Sequence, residues 1–202
     1  MSLKLHQRNH NNYFSILENH YCNDEGKTIY TVHTPLMHRT TTISKTLTDS
    51  DSTDIGIASG EEVKADSLAE HSVDETTGHP NFVYIAQIDW RVFDAKIRFG
   101  TGHYSGREML AKELLRMEQL GRHYAFTGQD GKEYRWHLPL TCTKLTSNDT
   151  LETPIATFHR GKLFSLKSRA YLEIFPEGLH MMDEILVTFI YIEQQRKEAK
   201  EY

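Results

Sequence analysis

The stretch HRGKLFSLKSR, residues 159–169, holds the densest chemistry in the sequence. Arg160, Lys162, Lys167 and Arg169 place four fixed positive charges in one short connection, with His159 beside them and Leu163 and Phe164 between. Cations around an apolar tip can hold an anionic headgroup while the tip enters the interfacial layer. The competing reading is a solvated loop whose Leu163 and Phe164 fold back onto the core. Arg160, Lys162, Lys167 and Arg169 are therefore the candidate ligand residues, for an anionic phospholipid surface or for a protein partner.

Other reactive residue types do not assemble. Of twelve histidines, His6 and His10 are four apart but lack a third ligand, and His33 and His38 flank a turn. Neither pair follows a Cys/His zinc pattern or a helical HExxH. Cys22 and Cys142 stand far apart, and with no apolar leader in MSLKLHQRNHNNYF they read as reduced thiols of an intracellular, cytoplasmic or peripheral membrane protein. There is no Gly-x-Ser-x-Gly elbow and no Gly-rich loop between a strand and a helix. Asp89, Asp94 and Asp130 are separated carboxylates near turns, where aspartate bonds its own backbone. No catalytic residue, metal site or cofactor is expected. A small-molecule enzyme of hydrolase type, with a site not visible in the sequence, is the alternative to a binding module.

The elements that must position the basic stretch are mostly strands. Asn12–Glu18, Thr28–Thr34 and Thr40–Thr46 alternate and are rich in β-branched and aromatic residues, as are Phe82–Trp90 and Ala95–Gly100. Arg122–Leu138 predicts a hairpin around Gly128-Gln129-Asp130-Gly131, with Tyr124, Phe126, Tyr134 and Trp136 on one face. Strands are also expected at Leu140–Leu145, Pro154–Arg160 and Arg169–Phe175. Between the second and third groups the period changes. Ser105 with Glu108 reads as a capping box, and Met109, Leu110, Leu114, Met117 and Leu120 fall at helical spacing, predicting a helix over 107–120.

Charge is unevenly distributed. Residues 47–80 carry nine acidic residues against Lys64 alone, a net of −8, while the remainder nets +3. A segment so acidic and poor in large apolar residues predicts a disordered insertion. The +3 body shows no spread basic face, so nucleic acid is not an expected partner. Residues 1–11 read as a flexible tail, and 12–197 as one domain interrupted by the insertion.

The end of the chain, MMDEILVTFIYIEQQRKEAKEY, mixes two signals. Ile185–Ile192 has strand composition, whereas Asp183 and Glu184 before it and Arg196, Lys197 and Lys200 after it complement a helix macrodipole. A helix apolar all round must be surrounded by protein, and eight residues rise only about 12 Å, too short to span a bilayer. The expected answer is a buried helix enclosed by a sheet. The alternative is a core strand followed by an exposed helix.

The segments FTGQDGKEYRW, IATFHR and AYLEIFPEGLHMMDEILVTFIYIEQQRK resemble a fungal family of domains of unknown function. The resemblance covers Asn12–Thr46 and Phe82–Lys197. It implies a mainly β (α+β) fold, a closed antiparallel tubby-like β-barrel of the tubby C-terminal and LURP-one-like kind, around the C-terminal helix. Tubby proteins bind phosphoinositides through basic residues, but those positions have no residue-by-residue counterpart here. The cysteine cluster of scramblase-type relatives is absent from the sequence.

Overall fold

The computed structural model describes residues 1–9, 16–35, 39–47, 81–91, 94–139, 142–161 and 169–199. Among these the chain forms β1 (Leu3–Gln7), β2 (Asn19–Cys22), β3 (Thr28–His33), β4 (Thr40–Thr46), β5 (Phe82–Asp89), β6 (Lys96–Phe99) and β7 (Glu108–Leu110). A single turn of helix, α1 (Ala111–Leu114), leads to β8 (Arg116–Glu118), β9 (His123–Thr127), β10 (Glu133–His137), β11 (Thr143–Ser147), β12 (Pro154–His159) and β13 (Tyr171–Ile174). A 3-10 segment (Pro176–Met181) then delivers the chain into α2 (Met182–Glu198).

The strands build one antiparallel sheet in the order β7-β6-β5-β4-β3-β2-β1-β13-β12-β11-β10-β9-β8. Each strand pairs with its sequence neighbour except at one place, and β1 pairs with β13. The exception is the step from β7 to β8, so the sheet is open and these two strands are its edges. The expected closed tubby-like barrel is thus not formed. The residues that would have to complete the ladder are used by α1 instead. Leu115 N–H donates back to the Ala111 carbonyl (2.8 Å), and Ala111 N–H donates to Ala95 (2.8 Å). Ala111, Leu114 and Leu115 are buried there, so side chains rather than a strand ladder occupy the seam.

The C-terminal segment is one continuous helix, and the sheet curls round it. Ile185, Leu186, Val187, Phe189, Ile190 and Ile192 are each fully buried. Phe189 packs against Phe158 of β12 (ring centroids 4.8 Å) and Trp136 of β10 (6.1 Å). Tyr191 stacks on Trp90, just after β5 (5.9 Å). The Trp136 indole N–H donates to Thr188 Oγ1 (3.1 Å), giving the polar residue of the apolar run its partner. Strands from both halves of the sheet therefore contact α2, which is why a strand-like composition is stable as helix: every face has apolar company.

Three further expectations are corrected. The helix over 107–120 is replaced by β7, α1 and β8. Glu108 does not cap a helix; it pairs across the strands with Lys96 (2.8 Å) and Arg98 (2.5 Å) of β6, and this long-range pairing overrides local helix propensity. The strand expected at Asn12–Glu18 is displaced: residues 16–18 are turn and bend, β2 begins at Asn19, and residues 12–15 lie outside the described residues. The N-terminal residues expected to be a tail contain β1, held between β2 and β13 in the middle of the sheet. The acidic stretch from 48 to 80 lies outside the described residues. Its two ends are joined, since Leu47 N–H donates to the Asn81 carbonyl (2.8 Å) and Thr46 pairs with Phe82, so it leaves the tip of the β4–β5 hairpin.

Candidate functional site

Register fixes where the candidate cations stand. His159 pairs with Tyr171, so Arg160 and Arg169 stand at the mouth of the β12–β13 hairpin, Arg160 half-buried and Arg169 exposed. Lys162, Lys167, Leu163 and Phe164 lie outside the described residues. His159 is engaged within the sheet: it meets the Glu173 carboxylate (3.0 Å) and stacks on Tyr171 (4.4 Å).

The hairpin mouth adjoins the C-terminal half of α2, where a polar cluster is buried. Glu193 is fully buried. It accepts hydrogen bonds from Thr143 Oγ1 and from Arg196, whose Nε lies 2.9 Å away. Tyr21 packs nearby, its phenol raised by burial and by the Glu193 charge, and it accepts a hydrogen bond from Gln7 Nε2 (3.1 Å). Arg160 and Lys197 also feel Glu193. Burial is the larger cause that lowers the pKa of each, and repulsion from the Arg196 guanidinium lowers both further. Three cations from two elements thus gather round one buried carboxylate. The sequence marked Arg196 and Lys197 only as complements to the macrodipole; their closeness to Arg160 depends on strand order and could not be read.

The opposite end of α2 has different chemistry. Asp183 accepts from Tyr30 Oη (2.5 Å) and Lys45 Nζ (3.1 Å). Glu184, 6% exposed, accepts the Gln129 backbone N–H at Oε2 (3.1 Å), while its Oε1 is buried without a hydrogen-bond partner. Its pKa is pushed up to about 7, first by burial, with Asp130 and Asp183 adding to the rise and the Gln129 bond opposing it. Asp130 accepts from Tyr134 Oη (2.8 Å) and lies 3.6 Å from His180. A cavity of about 80 Å³ lies among Lys45, Thr101, Gln129, His180 and Glu184.

A third feature is a groove of about 1160 Å³ on the outer face of β9–β12. Across it His123, His137, Lys144 and Thr157 stand in register on four successive strands. The two imidazoles meet edge to face at 4.8 Å, and His137 Nε2 lies 2.9 Å from Thr146 Oγ1. Burial, then the neighbouring His123, lowers the His137 pKa.

Among the described residues, no group of three or more His, Cys, Asp or Glu side chains is placed to hold a metal ion. Neither cysteine forms a disulfide with the other; Cys22 is buried and Cys142 half-buried. No helix among the described residues is long and apolar enough to cross a membrane.

A family model described as a family of unknown function, DUF6593, matches residues 15–198, and the chain belongs to that family. No curated protein and no solved structure matches the chain. The likeness to tubby and LURP-one-like domains therefore stays a resemblance of sequence pattern.

Proposed function

We propose that this DUF6593 member is a non-enzymatic binding module whose basic end recognises anionic lipid headgroups, acting as a peripheral protein on an intracellular membrane. The observation that carries the reading is the gathering of Arg160, at the mouth of the β12–β13 hairpin beside the exposed Arg169, with Arg196 and Lys197 at the C-terminal turns of α2. Glu193 offsets one of the three charges of Arg160, Arg196 and Lys197, and an anion brought to the cluster relieves the repulsion that is left. Lys162 and Lys167 belong to the same connection in sequence and extend the proposed surface. The filled interior supports binding over catalysis. α2 side chains occupy the concave face of the sheet and leave beside them a cavity of only about 80 Å³, small beside the roughly 300–1,000 Å³ of substrate pockets, while the groove of about 1160 Å³ lies on the outer face.

Co-sedimentation with vesicles containing phosphatidylserine tests the proposal. The intact protein should pellet with anionic vesicles, remain in solution with phosphatidylcholine vesicles, and lose binding at high salt. The variant Lys162→Glu, Lys167→Glu, Arg169→Glu should remain folded and stay in solution. Pelleting of that variant at the wild-type level would overturn the reading, and absence of wild-type binding would move the basic end toward an acidic protein partner.

A further inference from the structure

The outer groove has chemistry that the basic end does not use. Its row of nitrogen-bearing side chains is set by strand register: His123 opposite His137, and His137 opposite Lys144. Directly opposed cross-strand side chains lie roughly 5 Å apart at Cβ, and like charges so placed are unfavourable unless something negative lies between them. Arg122, exposed at one end of the row, adds a fourth basic group, and Glu152 is the carboxylate lining the groove. His123 Nδ1 is buried and makes no hydrogen bond. Beside this polar row, Leu138, Pro139, Pro154 and Phe175 supply apolar walls. Basic groups on one side and apolar groups on the other suit an amphipathic anion better than a bare ion, which leaves the walls uncovered, or a neutral apolar molecule, which leaves the cations solvated and unused.

We propose that this groove binds a tetrahedral oxyanion, a phosphate or sulfonate, carried on a short apolar body. The oxyanion lies along the His123–His137–Lys144 row and accepts hydrogen bonds from Lys144 Nζ and the imidazoles. The apolar body lies along Leu138, Pro154 and Phe175. The site differs from the basic end in its residues: its side chains line the outer face of β9–β12, and the two adjoin where Cys142 of the groove lies near Arg160. The charged groups facing the bound anion are Arg122, His123, His137, Lys144, Glu152 and, on the same face, Arg135 of β10 with its ion-pair partner Glu118 of β8 (3.2 Å), which stands opposite His123 and whose negative charge the cations outnumber. His137, whose pKa burial and the neighbouring His123 hold below the ordinary value, takes up its proton only on the acid side of that value, and the added charge tightens binding there.

Calorimetric titration with octanesulfonate below its micellar concentration tests this, since the sulfonate keeps its charge across the pH range and any pH dependence belongs to the protein. Binding should be about tenfold tighter at pH 5 than at pH 8, the scale of one added charge-assisted contact. Lys144→Glu, an exposed position, should abolish it, and Lys144→Gln should weaken it about tenfold. Octyl glucoside, with the same body and no charge, and sodium sulfate, with charge and no body, should each bind far more weakly. Equal binding by wild type and Lys144→Gln, equal binding of octyl glucoside, or no octanesulfonate binding by the wild type would overturn the proposal. The triple Glu variant of the β12–β13 connection should keep octanesulfonate binding, which separates this site from the headgroup reading.

Discussion

At the scale of single residues, Glu184 links charge to folding. Its carboxyl is almost fully buried at the first turn of α2, and one oxygen has no hydrogen-bond partner. With its pKa pushed up to about 7 against an ordinary 4.5, the folded state prefers the neutral form. The contribution to stability is therefore complete below about pH 4.5 and is lost as pH rises through 7. The loss amounts to roughly 3 kcal/mol at most. Glu184→Gln keeps an acceptor for the Gln129 N–H and removes the titration. Denaturant midpoints at pH 5 and pH 8 should differ less in the variant than in the wild type, with the wild type losing more stability at pH 8. An unchanged difference would show that Glu184 does not ionise over this range. Other residues of the site were less legible. Glu184 appeared in the sequence as an ordinary helix-start acid, because burial, the cause of its shift, comes from the β9–β10 turn some fifty positions away.

Elements whose signal is local were readable, and those decided by distant pairing were not. β4 matches its expected span at both ends, and the β9–β10 hairpin forms around Gly128–Gly131, with Tyr124, Phe126, Tyr134 and Trp136 all buried as the one-faced pattern required. α2 was legible too, since the flanking charges of opposite sign favoured an enclosed helix over the alternative of a core strand followed by an exposed helix. The segment 107–120 misled because Met109 and Leu110 fit a helical period, yet Met109 pairs with Ile97 and Leu110 with Lys96. No local pattern announces that partner. The same applies to the open seam, which depends on how α1 sits between two three-residue strands. α2 should be the dominant stabilising element. Phe189→Ala removes a side chain packed between Phe158 and Trp136 and should cost about 3–5 kcal/mol, measured by urea unfolding. A loss below about 1 kcal/mol would be the behaviour of a peripheral helix.

Across the described residues the two ends of α2, whose 17 residues span roughly 25 Å, differ in their charged groups. Asp183, Glu184 and Asp130 mark one end, and Arg160, Arg169, Arg196 and Lys197 mark the other. The acidic insertion leaves from the first end, because Lys45 near the end of β4 bonds Asp183 and Leu47 bonds Asn81. The two residues that flank the insertion, Leu47 and Asn81, are therefore anchored at the end of α2 opposite Arg160, Arg196 and Lys197. An anionic surface should then orient the protein with the C-terminal turns of α2 toward it. Hydrogen exchange measured with and without phosphatidylserine vesicles tests that orientation most directly. Exchange should slow in the stretches flanking the β12–β13 mouth and in the last turns of α2, with the β9–β10 turn unchanged. Protection of the β9–β10 turn, with the β12–β13 mouth unaffected, would contradict it.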